Sequence, residues 1–287
     1  MTLGKIIREL AFPIAVATFG VLVLLERKRP LRRETEPVAR RTGRNLFVAG
    51  TAAVAMALIE IPIAKRAASM VERKNVGLLK LFKLPEWLEI SLAVILLDYT
   101  LYLWHVLTHR VPFLWRFHVV HHVDLDLDAS TALRFHFGEL IASVGWRAIQ
   151  IAVIGVTPKS LQIWQALLIP SILFHHSNVE LPERLEKFLS KFIVTPRLHG
   201  IHHSVFRAET DSNWSSGLSV WDRLHGTFRE VTEHADVKIG VPAHQDPRTL
   251  TIGKLLAFPL RPHRDCWQLP DKYLMDEPND QHNHPNI

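Results

Sequence analysis

The sequence predicts an all-α, multi-span helical membrane protein of about five spans, with a helical cap at the cytoplasmic face carrying a histidine-rich site for two metal ions. Three observations lead there. Long uncharged apolar runs recur along the first 174 residues. Basic clusters flank them. The 17 histidines all lie at or beyond residue 105, and eleven of them fall between His105 and His203.

Taken in order, Leu10–Leu25 is the first apolar run and reaches bilayer length when Ile6 and Ile7 are included. Lys5 and Arg8 precede it as they would in a signal peptide, but Glu26-Arg27-Lys28-Arg29-Pro30 follows instead of a small-residue cleavage site, which favours a retained helix. Leu46–Ala64 is the second span and Trp87–Trp104 the third, with Asp98 inside it. Gly138–Val156 and Leu161–Phe174 are the fourth and fifth, joined by the turn Thr157-Pro158-Lys159-Ser160. A buried soluble hairpin is the alternative for that last pair. Leu181–Ile193 has helical apolar spacing with charges between, which suits either the membrane interface or packing on the soluble part. These runs divide the chain into N-terminal membrane helices and a basic loop (1–86), a catalytic portion (87–230) and a polar tail (231–287) whose end, Asp276–Ile287, is expected to be disordered.

Composition narrows the function. Hydrophobic residues at 48% beside 22% charged residues fit apolar spans joined to a polar portion. The net charge of +6 sits beside the spans, which favours a membrane surface and not nucleic acid. A single cysteine, Cys266, excludes an internal disulfide and a four-cysteine metal site. Eight Lys and Arg between Arg27 and Arg44 orient that segment to the cytoplasm, although Lys65–Lys83, also basic, would then lie outside. With this orientation every candidate ligand emerges on the cytoplasmic side.

His105-Val-Leu-Thr-His109 puts two imidazoles on one helical face. His118-Val-Val-His121-His122 and His199-Gly-Ile-His202-His203 each put three there, and Thr195-Pro196 supplies a helix start for the second of these boxes. With His176 after the fifth span, these imidazoles exceed what one tetrahedral zinc uses and suit two metals. His136 is a further candidate, balanced between ligand and substrate-facing roles, and His176 is preferred over its neighbour His175. Imidazole suits iron and zinc alike, so the ligand set alone does not name the metal; iron adds the two electrons that O2 chemistry needs. Asp98 shares a helical stripe with Tyr102, His105 and His109 and is placed to accept a hydrogen bond from a ligating imidazole. Asp124, Asp126 and Asp128 read as a solvated loop that caps the next helix.

In this order, between apolar spans, the three boxes resemble the fatty acid hydroxylase/sterol desaturase superfamily. Asp128-Ala-Ser-Thr-Ala-Leu-Arg-Phe-His136 resembles the segment after its second box, and Asp211-Ser-Asn213-Trp and Trp221-Asp222-Arg-Leu-His-Gly226-Thr227 its closing motifs. The likeness covers roughly Leu88–Thr227. It implies a cytoplasmic di-iron cap and O2-dependent hydroxylation or desaturation of a sterol or fatty-acyl lipid. The box histidines carry over onto His105, His109, His118, His121, His122, His199, His202 and His203, and Asn213 and Asp222 join Asp98 as catalytic candidates. The chain departs from the usual pattern at Phe137, where relatives have proline, and at His225, where they have phenylalanine. Reductant must come from a separate electron donor, because the sequence has no nucleotide-binding glycine fingerprint. Ether-lipid cleavage within the superfamily is one alternative. A metal transporter is another, disfavoured by ligands beyond the span ends, and a zinc hydrolase is a third, disfavoured because no H-E-x-x-H occurs.

Overall fold

The computed structural model describes residues 3–230, 237–261 and 266–267, with side chains from Glu9 onward. Among these residues it is helical, with isolated bridges and no strand. The elements are α1 (Leu3–Lys28), α2 (Val38–Ala55), a π-helical turn at Met56–Glu60, α3 (Ile61–Lys74), α4 (Glu86–Arg110), α5 (Pro112–His122), α6 (Phe137–Ile154) and α7 (Pro158–His176). Short cap helices follow: α8 (Glu183–Leu189), α9 (Pro196–His202), α10 (Arg207–Thr210), α11 (Val220–His225) and α12 (Ile252–Ala257).

Four stretches are long and apolar enough to cross a membrane: Glu9–Lys28, Val38–Leu81, Glu86–Arg110 and Phe137–Ile154. Sequence reading expects about five. The fifth, α7, is a helix of 19 residues, but Lys159, Gln162, Gln165 and the terminal histidines reduce its apolar character. Thr157 caps α7 by accepting from the Ser160 N–H, and Pro158 fills its first turn, so the expected tight hairpin forms. Outward-facing Phe12, Val54, Leu58, Ile149 and Val153 are all about half exposed or more, as lipid-facing residues are when no lipid surrounds the chain.

The second long stretch contains an irregularity with a clear signature. Its buried positions run Arg41, Arg44, Asn45, Val48, Ala52, Ala55 and then Glu60, Ala64, Ala68, Val71. Every step is three or four residues, or one, except the step of five from Ala55 to Glu60, which the wider π turn absorbs. Both α2 and α3 thereby pack on α6, and α2 also meets α12 of the cap. Ala64, Ala68, Leu97, Ile151 and Trp164 form the core between α3, α4, α6 and α7. Within it Arg147 approaches Glu60 at 3.5 Å and lies over the Trp164 ring at 4.5 Å.

The cap is fastened by buried charge. Asp124, Asp126 and Asp128, expected to be solvated, are at most 9% exposed. Asp124 meets Arg134 at 2.9 Å and Arg41 at 3.1 Å, Asp128 meets Arg41, and Asp126 accepts the Thr35 and Glu36 N–H groups. Burial alone would raise the Asp124 carboxyl, but the Arg134 and Arg41 guanidiniums hold it below its ordinary range. Alternating acids in a sequence read as a loop when their counterions lie 83 residues away, as Arg41 does from Asp124. The described part of 231–287 also belongs to the cap: Val241, Leu250, Leu255 and Cys266 share a core with Val119 and Val120 of α5 and with Val123 just after it. His234, His263, His282, His284 and the expected disordered end lie outside the described residues.

Candidate metal centre

Three helix ends and α9 converge beneath the cap. His105 and His109 lie in the last turns of α4, the 118–122 box ends α5, His176 ends α7, and α9 carries the 199–203 box. Thr195 caps α9 and Pro196 occupies its first turn, as the sequence leads one to expect.

The imidazoles sort into two groups. His105, His109, His118, His122 and His202 form one; His121, His176, His199 and His203 form the other. Within each group one ring nitrogen per residue lies within 4.8 Å of all the others. The sorting follows helix geometry. Each i, i+4 pair (105/109, 118/122, 199/203) serves a single group, and the middle histidine of each triple box crosses to the other. Helices α5 and α9 thus exchange ligands, His121 for His202, which ties both groups into one unit.

The nitrogen spacings fit ions. In the group of four, Nε2 of His176 lies 3.0 Å from Nε2 of His121 and 3.0 Å from Nε2 of His199, which is 3.2 Å from Nε2 of His203. Nitrogens about 2.0–2.1 Å from a shared metal stand roughly 3 Å apart. In the group of five, Nε2 of His105, His118 and His202, and both nitrogens of His109 and His122, are buried with no hydrogen-bond partner. Buried polar atoms without a partner are costly, and a metal at their focus removes that cost. Burial also holds the rings of His121, His122, His199 and His203 well below the usual imidazole range and takes His202 down to about 3. Neutral rings keep the lone pair that a metal requires.

Outer contacts aim the rings. Nδ1–H of His105 donates to the Trp214 carbonyl at 2.7 Å, that of His202 to Ser212 at 2.8 Å, and that of His176 to Ile172 at 2.9 Å. His118 alone among these uses a carboxylate, Glu139 Oε1 at 2.9 Å. Sequence reasoning missed Glu139. Its signal was a carboxylate at the start of an apolar span, a placement that is expensive without a partner.

Other candidates lie elsewhere. His136 joins neither group: its Nδ1 accepts the Gly138 N–H at 2.9 Å and its Nε2–H donates to the Leu256 carbonyl at 3.1 Å. Both ring nitrogens are engaged, so the ring caps α6 and ties it to the C-terminal segment. His175 is buried beside His199 but outside both groups. Exposed His225 stacks on Tyr102 and contacts the Tyr99 hydroxyl at 3.2 Å.

Asp98, Asn213 and Asp222 brace the closing loop. Asp98 does not reach His105; its Oδ2 accepts from Leu218 N–H at 3.0 Å and Trp221 Nε1–H at 2.7 Å. A Cβ on Gly217 would stand 2.3 Å from Asp98 Oδ1, so only glycine permits this approach. Asp222 accepts from Trp214 N–H, Ser215 N–H and the Thr227 hydroxyl at 2.9, 3.0 and 2.7 Å, and so fixes the peptide whose carbonyl orients His105. Asn213, at φ 49°, bridges the Leu198 and Arg229 carbonyls.

The fatty acid hydroxylase family model matches residues 90–227, the stretch that carries both histidine groups and the closing loop. Over this stretch the chain is similar to the fatty acid hydroxylase family. An ornithine lipid hydroxylase of Rhizobium tropici is 31% identical over 158 residues, covering 55% of this chain and 46% of the relative. Human alkylglycerol monooxygenase is 29% identical over 160 residues, covering 54% and 34%. Mouse cholesterol 25-hydroxylase is 28% identical over 146 residues, covering 50% and 47%. The chain thus spans about a third to a half of the length of these hydroxylase-superfamily relatives. No solved structure matches it.

Proposed function

We propose that this chain is a membrane-bound, O2-dependent oxidoreductase that holds two iron ions and hydroxylates or desaturates a C–H bond of a lipid. The observation that carries this reading is the sorting of nine imidazoles, eight of them buried and that of His109 partly so, into groups of five and four, with buried ring nitrogens left without partners. Nine imidazole donors exceed one tetrahedral zinc, although zinc would bind as a substitute. Iron bound there supplies two-electron chemistry with O2. The chain itself aims the imidazoles through Trp214, Ser212, Ile172 and Glu139, and encloses them under the cap. Electrons come from a separate donor.

A lipid substrate fits the location of the centre, at the end of the apolar span α4. The relatives are named for ornithine lipid, alkylglycerol and cholesterol, which agree in being lipids and differ in skeleton. Similarity to an alkylglycerol monooxygenase keeps ether-lipid oxidation as a second reading. The centre faces the cytoplasm. In support, Arg32 of the basic segment reaches the Pro196 carbonyl at 3.3 Å and Arg41 pairs with Asp124, so that segment and the cap share one side.

Purified chain loaded with iron, placed in nanodiscs with extracted lipids and given a chemical reductant, should consume O2. Mass spectrometry should then find lipids with one added oxygen from labelled O2 or two fewer hydrogens. Metal flux across liposomes without O2 consumption would overturn the reading. For orientation, a cysteine at exposed Lys187, after replacement of Cys266, should react with an impermeant thiol reagent only in inverted vesicles. Labelling in intact cells would reverse the topology.

A further inference from the structure

The two histidine groups are not equivalent in what stands behind them. In the group of five, three rings have Nδ1–H acceptors: Trp214 O for His105, Ser212 O for His202 and Glu139 for His118. In the group of four only His176 has one; Nδ1 of His121, His199 and His203 is buried without a partner. The group of five therefore has one more imidazole, two more braced rings and the one carboxylate.

Glu139 is built into this position. It is 4% exposed, one turn into α6, and its Oε2 has no hydrogen-bond partner. Among the described residues its ion-pair contact is His118. A buried carboxylate facing a neutral imidazole is poorly compensated, whereas one facing an imidazole bound to a dication is well compensated. The backbone is shaped for the contact. A Cβ on Gly138 would stand 2.5 Å from the Phe117 ring, so glycine lets the first turn of α6 close on α5. His136 caps that same turn through the Gly138 N–H.

Resting on the two-metal reading above, we propose that Glu139 is a positioning residue that acts through His118 to make the five-histidine site the tightly held one, so that the ion of the four-histidine site leaves first. A carboxylate that accepts the Nδ1–H fixes the tautomer, aims Nε2 and increases its donor strength; a carbonyl does the same more weakly. Loss of such an outer partner typically costs about 10–100-fold in metal affinity.

The test uses full-length protein in detergent or nanodiscs, loaded with iron-57 and challenged with a chelator. Metal released over time should show a fast and a slow phase of about one ion each, following the two groups. Glu139→Gln, close in shape, and Glu139→Ala should accelerate the slow phase about 10–100-fold and leave the fast phase alone. Mössbauer spectra should show two iron environments of equal area, of which only one changes in Glu139→Gln. A merely structural role would disturb both. Two ions released in phases that Glu139→Gln leaves unchanged, or a change in the fast phase alone, would overturn this inference and spare the two-metal reading. A wild-type chain that holds a single ion would overturn both.

Discussion

Acid should destabilise the metal-free protein above the pH at which an ordinary carboxylate takes up a proton. His202 goes from an ordinary value of 6.5 to about 3 in the fold because burial disfavours its charged form. The folded value is depressed, so the neutral ring's contribution is complete above pH 6.5 and is lost as pH falls from 6.5 toward 3. At pH 5 the unfolded chain has His202 largely protonated and the folded chain does not, a difference of about 2 kcal/mol for this residue alone. For a domain of this size that lowers Tm by roughly 4–8 °C. His121, His122, His199 and His203 shift in the same direction, so the total fall should be larger. Thermal melts of chelator-treated protein in detergent, taken from about pH 7.5 to 5, would measure it. His202→Asn should flatten part of the slope. A Tm independent of pH across that window in the metal-free chain would show that the rings are not held neutral by burial. Loaded protein should resist acid longer, because protons must displace the metal before they reach the rings.

Further outcomes follow from the sorting of ligands and the bracing of the loop. His121→Ala should lower metal content to about one ion per chain, because only three histidines of its group remain, while His202→Ala leaves four and should retain more metal on elemental analysis. Asp222→Asn replaces an acceptor that faces the Trp214 and Ser215 N–H groups, and chelator release should quicken by about tenfold. Gly217→Ala forces a Cβ against Asp98 and should destabilise by about 1–3 kcal/mol in denaturant titrations; an unchanged midpoint would argue against the close approach. His136→Asn should leave metal content unaltered while loosening the C-terminal segment, seen as faster proteolysis after Leu256.

Much of this was legible in the sequence because helix periodicity is a local rule. The i, i+4 spacing in the three boxes announces shared faces, and the Thr195-Pro196 start of α9 is written in consecutive residues. What escaped was long-range. Nothing near Asp124 indicates that Arg41, Arg44 and Arg134 surround it, so three alternating acids read as a wet loop. Asp98 shares a stripe with His105, but the segment carrying Leu218 and Trp221 comes from more than a hundred residues away and takes its oxygen. Trp214 and Ser212 orient histidines through backbone carbonyls, which every residue has, so side-chain identity gives no sign of them. His136 looked like a ligand because type and neighbourhood were right. Its two nitrogens were committed to a helix cap and to Leu256, and only three dimensions reveal that.

The π turn at Met56–Glu60 gives the second long helix one residue of slack. Restoring an ordinary α-helical step between Ala55 and Glu60 requires removal of one amino acid, and the faces above and below would keep their phase. Deletion of a single residue within a helix normally rotates everything after it by about 100°. Here deletion of Leu58, which is 72% exposed, should leave Glu60 against Arg147 and Arg41 against Asp124. A homologous chain one codon shorter in this region can therefore share the same packing, and its alignment gap belongs inside the helix and not in a loop.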